Sequence, residues 1–286
     1  MKNLMLTLLL LLLLFSLSTV NAQQKAFEVK VTGKGQPIIL IPGYSCSGAV
    51  WKETADHLKN NYQLHILTIA GYAGVKPIED PVLQTVHDQL IQYVKDNKLN
   101  KPILIGHSLG AFMSLWVSSS QPDLFGKIIC VDGVPFISAL TKPETTVASI
   151  KEDPRFNKEA VINNFKAIPS EGYVTNMTKM MLYQVRDTAR AKQIAEWSFA
   201  GDRRTLGSTI VEMSLTDLRT DIAKIKSPTL ILTSLFNTKE NSEKIYKEQY
   251  AALPNKTIQV ADSKHFIMYD APEWFYNAID NFLNQK

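Results

Sequence analysis

Four short stretches of this chain, Pro37–Ile41, Pro102–Ile105, Lys127–Val131 and Pro228–Thr233, consist almost entirely of apolar, mostly branched residues. Apolar runs of strand length without alternation belong to strands covered on both faces, the condition inside a parallel sheet. Leu64–Ile69 and Thr257–Val260 read as two further strands, and Phe27–Val31 as an alternating one before the turn Gly33-Lys34-Gly35. Helical patterns separate them: an amphipathic stretch from Val82 to Lys95, then Leu109–Ser120, whose apolar residues nearly encircle it, then Ser242–Leu253 and Pro272–Leu283. Strand and helix alternating at short spacing predict an open, mostly parallel α/β sheet flanked by helices. From residue 138 to 206 the rhythm stops and the sequence turns helical, with Met177, Met180, Met181, Leu182 and Val185 at helical spacing. A sheet domain built from 23–137 and 207–286, with a helical insertion at 138–206, accounts for both observations. Core packing is the first expectation for the methionines; a soft lining for an apolar substrate is the second.

The segment Pro102-Ile-Leu-Ile-Gly-His-Ser-Leu-Gly110 places a serine between a buried strand and a helix. A serine on so tight a strand-to-helix turn projects its hydroxyl clear of the sheet, as the Gly-x-Ser-x-Gly nucleophile elbow requires. Side chains at Gly106 and Gly110 would collide with the neighbouring strand and helix. The helix N-terminus beyond Ser108 favours a developing negative charge. Ser108 is therefore the candidate nucleophile.

The elbow and its context resemble the α/β-hydrolase superfamily, over nearly all of the chain beyond residue 22. Ile41-Pro-Gly-Tyr-Ser-Cys-Ser-Gly-Ala-Val-Trp51 is similar to the family's first oxyanion loop, with Pro42 where a His is usual. The resemblance assigns the backbone N–H groups of Tyr44 and Leu109 to the oxyanion hole. It puts the glycines of Thr68–Gly74 in a loop at the rim of the site. The tail Val260-Ala-Asp-Ser-Lys-His265, followed by apolar residues and Pro272-Glu273, matches the loop that carries the family's general base, His265. The other histidines have structural expectations: His57 and His87 on helix surfaces, His65 at the start of a strand, His107 as the variable elbow residue.

The acid that should orient His265 is where the chain departs from its relatives. Asn237 stands where most carry Asp, after the strand Thr229–Thr233. An amide can orient an imidazole but cannot stabilise its cation by charge. Asp132, at the end of the strand after the nucleophile helix, occupies the position used by other branches such as haloalkane dehalogenases. Asp132 is the first choice and Asn237 the second, ahead of Asp262, Glu240 and Glu243. The resemblance implies an acyl-enzyme hydrolase of carboxylic esters or related small-molecule acyl substrates. A peptidase or amidase of the same fold is the alternative, although the Gly-Gly-Ser-Trp-Gly elbow of proline iminopeptidases is absent. A weakly catalytic ligand-binding relative is the other, suggested by Asn237.

No metal cluster, glycine-rich nucleotide loop or cofactor motif competes, so no cofactor is expected. The net charge of +4 over 286 residues is too dispersed for a nucleic-acid partner. Lys2, the apolar run Leu4–Leu17 and the small residues up to Ala22 read as a signal peptide over 1–22, cleaved after Ala22. The run is shorter than the roughly 20 apolar residues of a spanning helix, so no stable anchor is expected. The processed protein would be secreted or periplasmic. Export permits a disulfide, but Cys46 and Cys130 are expected on strands, or just after them, with a third strand between. At about 4.8 Å per strand they stand about 9.6 Å apart, beyond the roughly 7 Å that a bridge allows.

Overall fold

The computed structural model describes residues 24–285. The expected signal segment, 1–22, and its cleavage position lie outside the described residues. Seven strands form one sheet: β1 (Phe27–Thr32), β2 (Gln36–Ile41), β3 (Tyr62–Ile69), β4 (Ile103–His107), β5 (Ile128–Val131), β6 (Thr229–Thr233) and β7 (Lys256–Val260). Their order is β1-β3-β2-β4-β5-β6-β7, with β1 antiparallel to β3 and every other pair parallel. The mostly parallel α/β sheet read from the sequence is therefore present. The central strands β4, β5 and β6 are buried at every position, which is why they read as unbroken apolar runs. The edge strand β1 has exposed residues instead and alternates in sequence.

Because side chains alternate between the faces of a strand, each strand supplies two cores. Ile39, Leu104, Cys130 and Ile231 join the core on one face, where α2 (Val82–Asp96) and α3 (Leu109–Ser120) pack. Ile38, Leu40, Ile105, Ile129 and Leu232 join the opposite core with α1 (Lys52–Leu58) and α11 (Pro272–Leu283). Cys46 belongs to the second core and Cys130 to the first, and both thiols are free.

Between β5 and β6 lie α4 (Val147–Lys151), α5 (Lys158–Ala167), α6 (Tyr173–Met181), α7 (Thr188–Ala200) and α8 (Arg203–Ser214). Side-chain caps start four of them: Thr146, Asn157, Asp187 and Asp202 each accept from a backbone N–H in the first turn of α4, α5, α7 and α8. Residue 206, the expected end of the insertion, falls inside α8, which continues to Ser214. The helix α9 (Lys239–Gln249) likewise starts earlier than Ser242, because Thr238 caps it, and ends before Leu253. After β7 come the one-turn α10 (Ile267–Asp270) and α11.

Two histidines differ from expectation. His87 is not on a helix surface: it is 7% exposed, shares a 2.9 Å hydrogen bond with Ser120 and lies against Trp116. His65 sits inside β3 rather than at its start, since the strand begins at Tyr62. His57 does lie at the surface, paired with Asp280 at 2.9 Å. No helix among the described residues is long and apolar enough to cross a membrane.

Candidate active site

β4 ends at His107 and α3 begins at Leu109, so the reversal of direction falls on Ser108 alone, at φ 53° and ψ −114°. A non-glycine residue held at positive φ stores strain and needs its surroundings to keep it there. Part of that restraint is the Ser108 N–H, which donates to the Val131 carbonyl at 2.8 Å. The flanking glycines supply the rest. A Cβ on Gly106 would lie 2.1 Å from the Gly110 carbonyl oxygen, and one on Gly110 would lie 2.1 Å from that of Ile41. The strand before the serine, the helix after it and the adjacent strand β2 thus meet with no room for a side chain.

β5 delivers Asp132, a buried residue also at positive φ, 46°. Its carboxylate accepts four hydrogen bonds. Oδ1 takes the Ser234 N–H at 2.7 Å and the Tyr246 hydroxyl at 2.9 Å. Oδ2 takes the Ser234 hydroxyl at 2.8 Å and the His265 Nδ1–H at 2.7 Å. Burial alone would push the Asp132 pKa up. The bond and charge of His265 and the bonds from Ser234 outweigh it, and hold the carboxyl below the usual range. Burial keeps the Tyr246 phenol well above its ordinary pKa, so it remains a donor. With Nδ1 donating, the neutral His265 ring carries its lone pair on Nε2.

The other acid candidates stand elsewhere. Asn237 is exposed at φ 65° in the loop after β6. Asp262 is exposed and pairs with Arg186, while Glu240 and Glu243 lie on the exposed side of α9. In the place expected of Asn237, the β6 loop brings Ser234 to Asp132, and it supports the carboxylate rather than the imidazole. The parallel pairing of β5 with β6 could have suggested Ser234, since both residues lie just beyond paired strand ends. Nothing local marks Tyr246.

His107, the variable residue of the elbow, has a structural role of its own. It is 1% exposed, and its Nε2–H donates to the His265 carbonyl at 3.0 Å. Its ring lies 4.6 Å from those of His265 and Phe266. Desolvation, with His265 beside it, pulls its pKa down to about 3, so the ring is neutral, and Nδ1 is buried without a partner. A second tie runs from the helical segment. Phe266 N–H donates to the Gln184 carbonyl at 3.2 Å, and the Asp270 carboxylate accepts from the N–H groups of both Arg186 and Lys264. The loop carrying His265 is thus held from below by the elbow and from above by the α6–α7 turn.

Ser108, Asp132, His265 and Tyr44 line one cavity of about 630 Å³. No direct hydrogen bond joins Ser108 Oγ to His265 among the described residues, and such contacts commonly tighten only with substrate bound. Leu109 is the first residue of α3, so its N–H has no intrahelical acceptor, while its side chain is fully buried in the core. Met177, Met180 and Met181 line the cavity, and Met181 also packs against the second core together with Leu182; Val185, fully buried, belongs to that core outright. The loop Thr68–Gly74 lies outside the cavity wall. It packs beneath the α7–α8 junction, where the Gly71 carbonyl accepts from Asp202 N–H at 2.8 Å and Tyr72 shares a 2.8 Å hydrogen bond with Thr209. No group of His, Cys, Asp and Glu able to hold a metal ion occurs among the described residues.

Comparison with known proteins gives a consistent picture. The family model described as "Alpha/beta hydrolase family" matches residues 38–278. A pimeloyl-[acyl-carrier protein] methyl ester esterase from Aliivibrio fischeri is 21% identical over 263 residues, covering 88% of this chain and 95% of that protein. The esterase of the same name from Vibrio cholerae is 26% identical over 110 residues, 38% of this chain and 42% of that protein. Among solved structures, the enol-lactonase from Burkholderia xenovorans superposes with a TM-score of 0.73 at 13% identity, covering 91% of this chain and 96% of that one. At that identity the last likeness speaks for the fold alone.

Proposed function

This chain belongs to the alpha/beta hydrolase family, and from that premise we propose that it is a serine hydrolase of carboxylic esters working through an acyl-enzyme. The observation that carries the reading is the arrangement at the cavity: a strained serine that shares the cavity wall with an imidazole whose Nδ1 is bonded, at 2.7 Å, to a buried carboxylate. In this mechanism His265 Nε2 takes the Ser108 proton as Oγ attacks the acyl carbonyl, and the bond to Asp132 stabilises the imidazolium that forms. The oxyanion develops against the N–H groups of Tyr44 and Leu109, aided by the α3 N-terminus. As the C–O bond breaks, His265 returns the proton to the leaving alkoxide. Water then attacks the acyl-serine by the same route, releasing the acid and restoring Ser108. The esterase relatives support an ester over an amide substrate. The leader at residues 1–22 favours action outside the cytoplasm, to be tested by sequencing the N-terminus of the exported protein, expected at Gln23.

The function is tested with p-nitrophenyl acetate and a fluorophosphonate. The wild-type protein should hydrolyse the ester and carry one covalent adduct, on Ser108, by mass spectrometry of its peptides. An active protein with its adduct elsewhere, or none, would refute the serine assignment.

A further inference from the structure

Single apolar side chains at a protein surface are ordinary, but a cluster of them marks a surface that something covers. Seven are exposed among the described residues, and four of these, Met180, Tyr183, Leu235 and Phe236, line the cavity that holds Ser108. They come from two segments of the chain. Met180 and Tyr183 lie at the end of α6, and Leu235 and Phe236 on the loop after β6. Each is both solvent-exposed and part of the cavity wall, so together they form its mouth. The wall continues in Ile137, Leu140, Phe165, Met177, Ile210 and Ile245.

Charge is scarce on this wall. Asp132 and His265 are bonded to each other, and the Lys264 ammonium is bonded to the Leu182 carbonyl. Among the described residues, no arginine and no second carboxylate lines the cavity. Away from Lys264, an ionised group carried along the apolar part of the wall would lack a partner of opposite charge.

We propose that the substrate is a neutral ester with a long apolar acyl chain, lying along this wall and ending against Met180, Tyr183, Leu235 and Phe236 at its mouth. The proposal rests on the serine-esterase reading above and adds the acyl class. The mouth then stands open to water only until the chain covers it, and the three methionines offer a flexible lining that fits chains of differing length.

The test compares kcat/KM for the p-nitrophenyl esters of acetate, octanoate and hydrogen suberate, the last matching octanoate in length but ending in a carboxylate. Full burial of a methylene is worth about fourfold, so even partial burial should put octanoate at least about tenfold above acetate. Hydrogen suberate should fall at least about tenfold below octanoate. Met180→Ser and Phe236→Ser should each lower the octanoate-to-acetate ratio at least about threefold. A ratio unmoved by both substitutions, a flat chain-length profile, or preference for hydrogen suberate would each overturn the proposal. Hydrolysis of none of the esters would instead defeat the serine-esterase reading. The acyl class is then decided by calorimetric titration of the Ser108→Ala protein with octanamide and acetamide. Preferential binding of octanamide supports the apolar path, and equal or absent binding overturns it.

Discussion

The helix that follows Ser108 and the helices that roof the cavity are built to different standards. In α3, ten of twelve residues are buried; in α5 none of ten is, and in α6 only Tyr173. The first sits at the crowded meeting point of β2, β4 and β5, and holds Ser108 in a conformation it would not adopt alone. The roof rests on its caps, on the pairing of α5 with α8 and of α6 with α7, and on a few bonds to the His265 loop. A reacting constellation must be held to a fraction of an ångström, whereas a wall that accepts a flexible chain need not be. Packing density therefore separates a rim that would perform the chemistry from a roof that would choose the substrate.

The largest expected effect belongs to the rim. Ser108→Ala should cost about 10⁵-fold or more in kcat by analogy with serine hydrolases, with the unfolding midpoint little changed. Asp132→Asn should follow at about 10⁴-fold, because the amide neither stabilises the imidazolium nor secures the Nδ1–H tautomer. Steady-state kinetics on a single good ester checks both. Substitution in the roof, such as Tyr173→Phe, should stay within about tenfold; a loss as deep as that of Ser108→Ala would erase the distinction.

Stability sharpens it next. Gly110→Ala forces a Cβ to 2.1 Å from the Ile41 carbonyl, whereas at Gly172, before α6, the nearest atom is Asn176 Nδ2 at 3.7 Å and the strain is that of φ 71° alone. Gly110→Ala should cost about 3 kcal/mol or fail to fold, and Gly172→Ala about 1 kcal/mol. Denaturant melts of the two variants side by side give the comparison; equal costs would mean that the roof is as tightly constrained as the elbow.

The third test uses pH. His107 is held neutral down to about 3 by its burial, while in the unfolded chain an imidazole titrates near ~6.5. Between those values the unfolded state binds a proton that the folded state refuses, so stability is fully present above the upper value and is lost as pH falls. The slope from this residue is about 1.4 kcal/mol per pH unit. His107→Gln keeps a donor for the His265 carbonyl and should flatten the dependence between pH 6 and 4 by that amount. Parallel curves for the two proteins would show that His107 is not the group titrating.

The smallest effect is expected at Asn237. Exposed and without a bond to His265, it should tolerate Asn237→Ala within about twofold, and Asn237→Asp should restore nothing to Asp132→Asn. Recovery there would mean that the loop after β6 reaches the imidazole in solution.

The sequence alone was enough for the sheet and the elbow, because both are written in neighbouring residues. Two-sided burial makes β4, β5 and β6 continuous apolar runs, and the Ser108 turn needs Gly106 and Gly110 at fixed offsets along the chain. Tertiary structure decided which carboxylate meets His265, since Asp132 lies 133 residues away and competed with an equally placed Asn237 until β5 and β6 were side by side. It also decided that His87 and His107 are buried, that Ser234 and Tyr246 hold Asp132, and that Met177 and Met180 face a cavity while Met181 touches both cavity and core. A helical period shows that one face is apolar, but says nothing of what lies opposite it. Protein and empty space look alike from within a single helix, and only the packing of α5 to α8 over the strand ends distinguishes them.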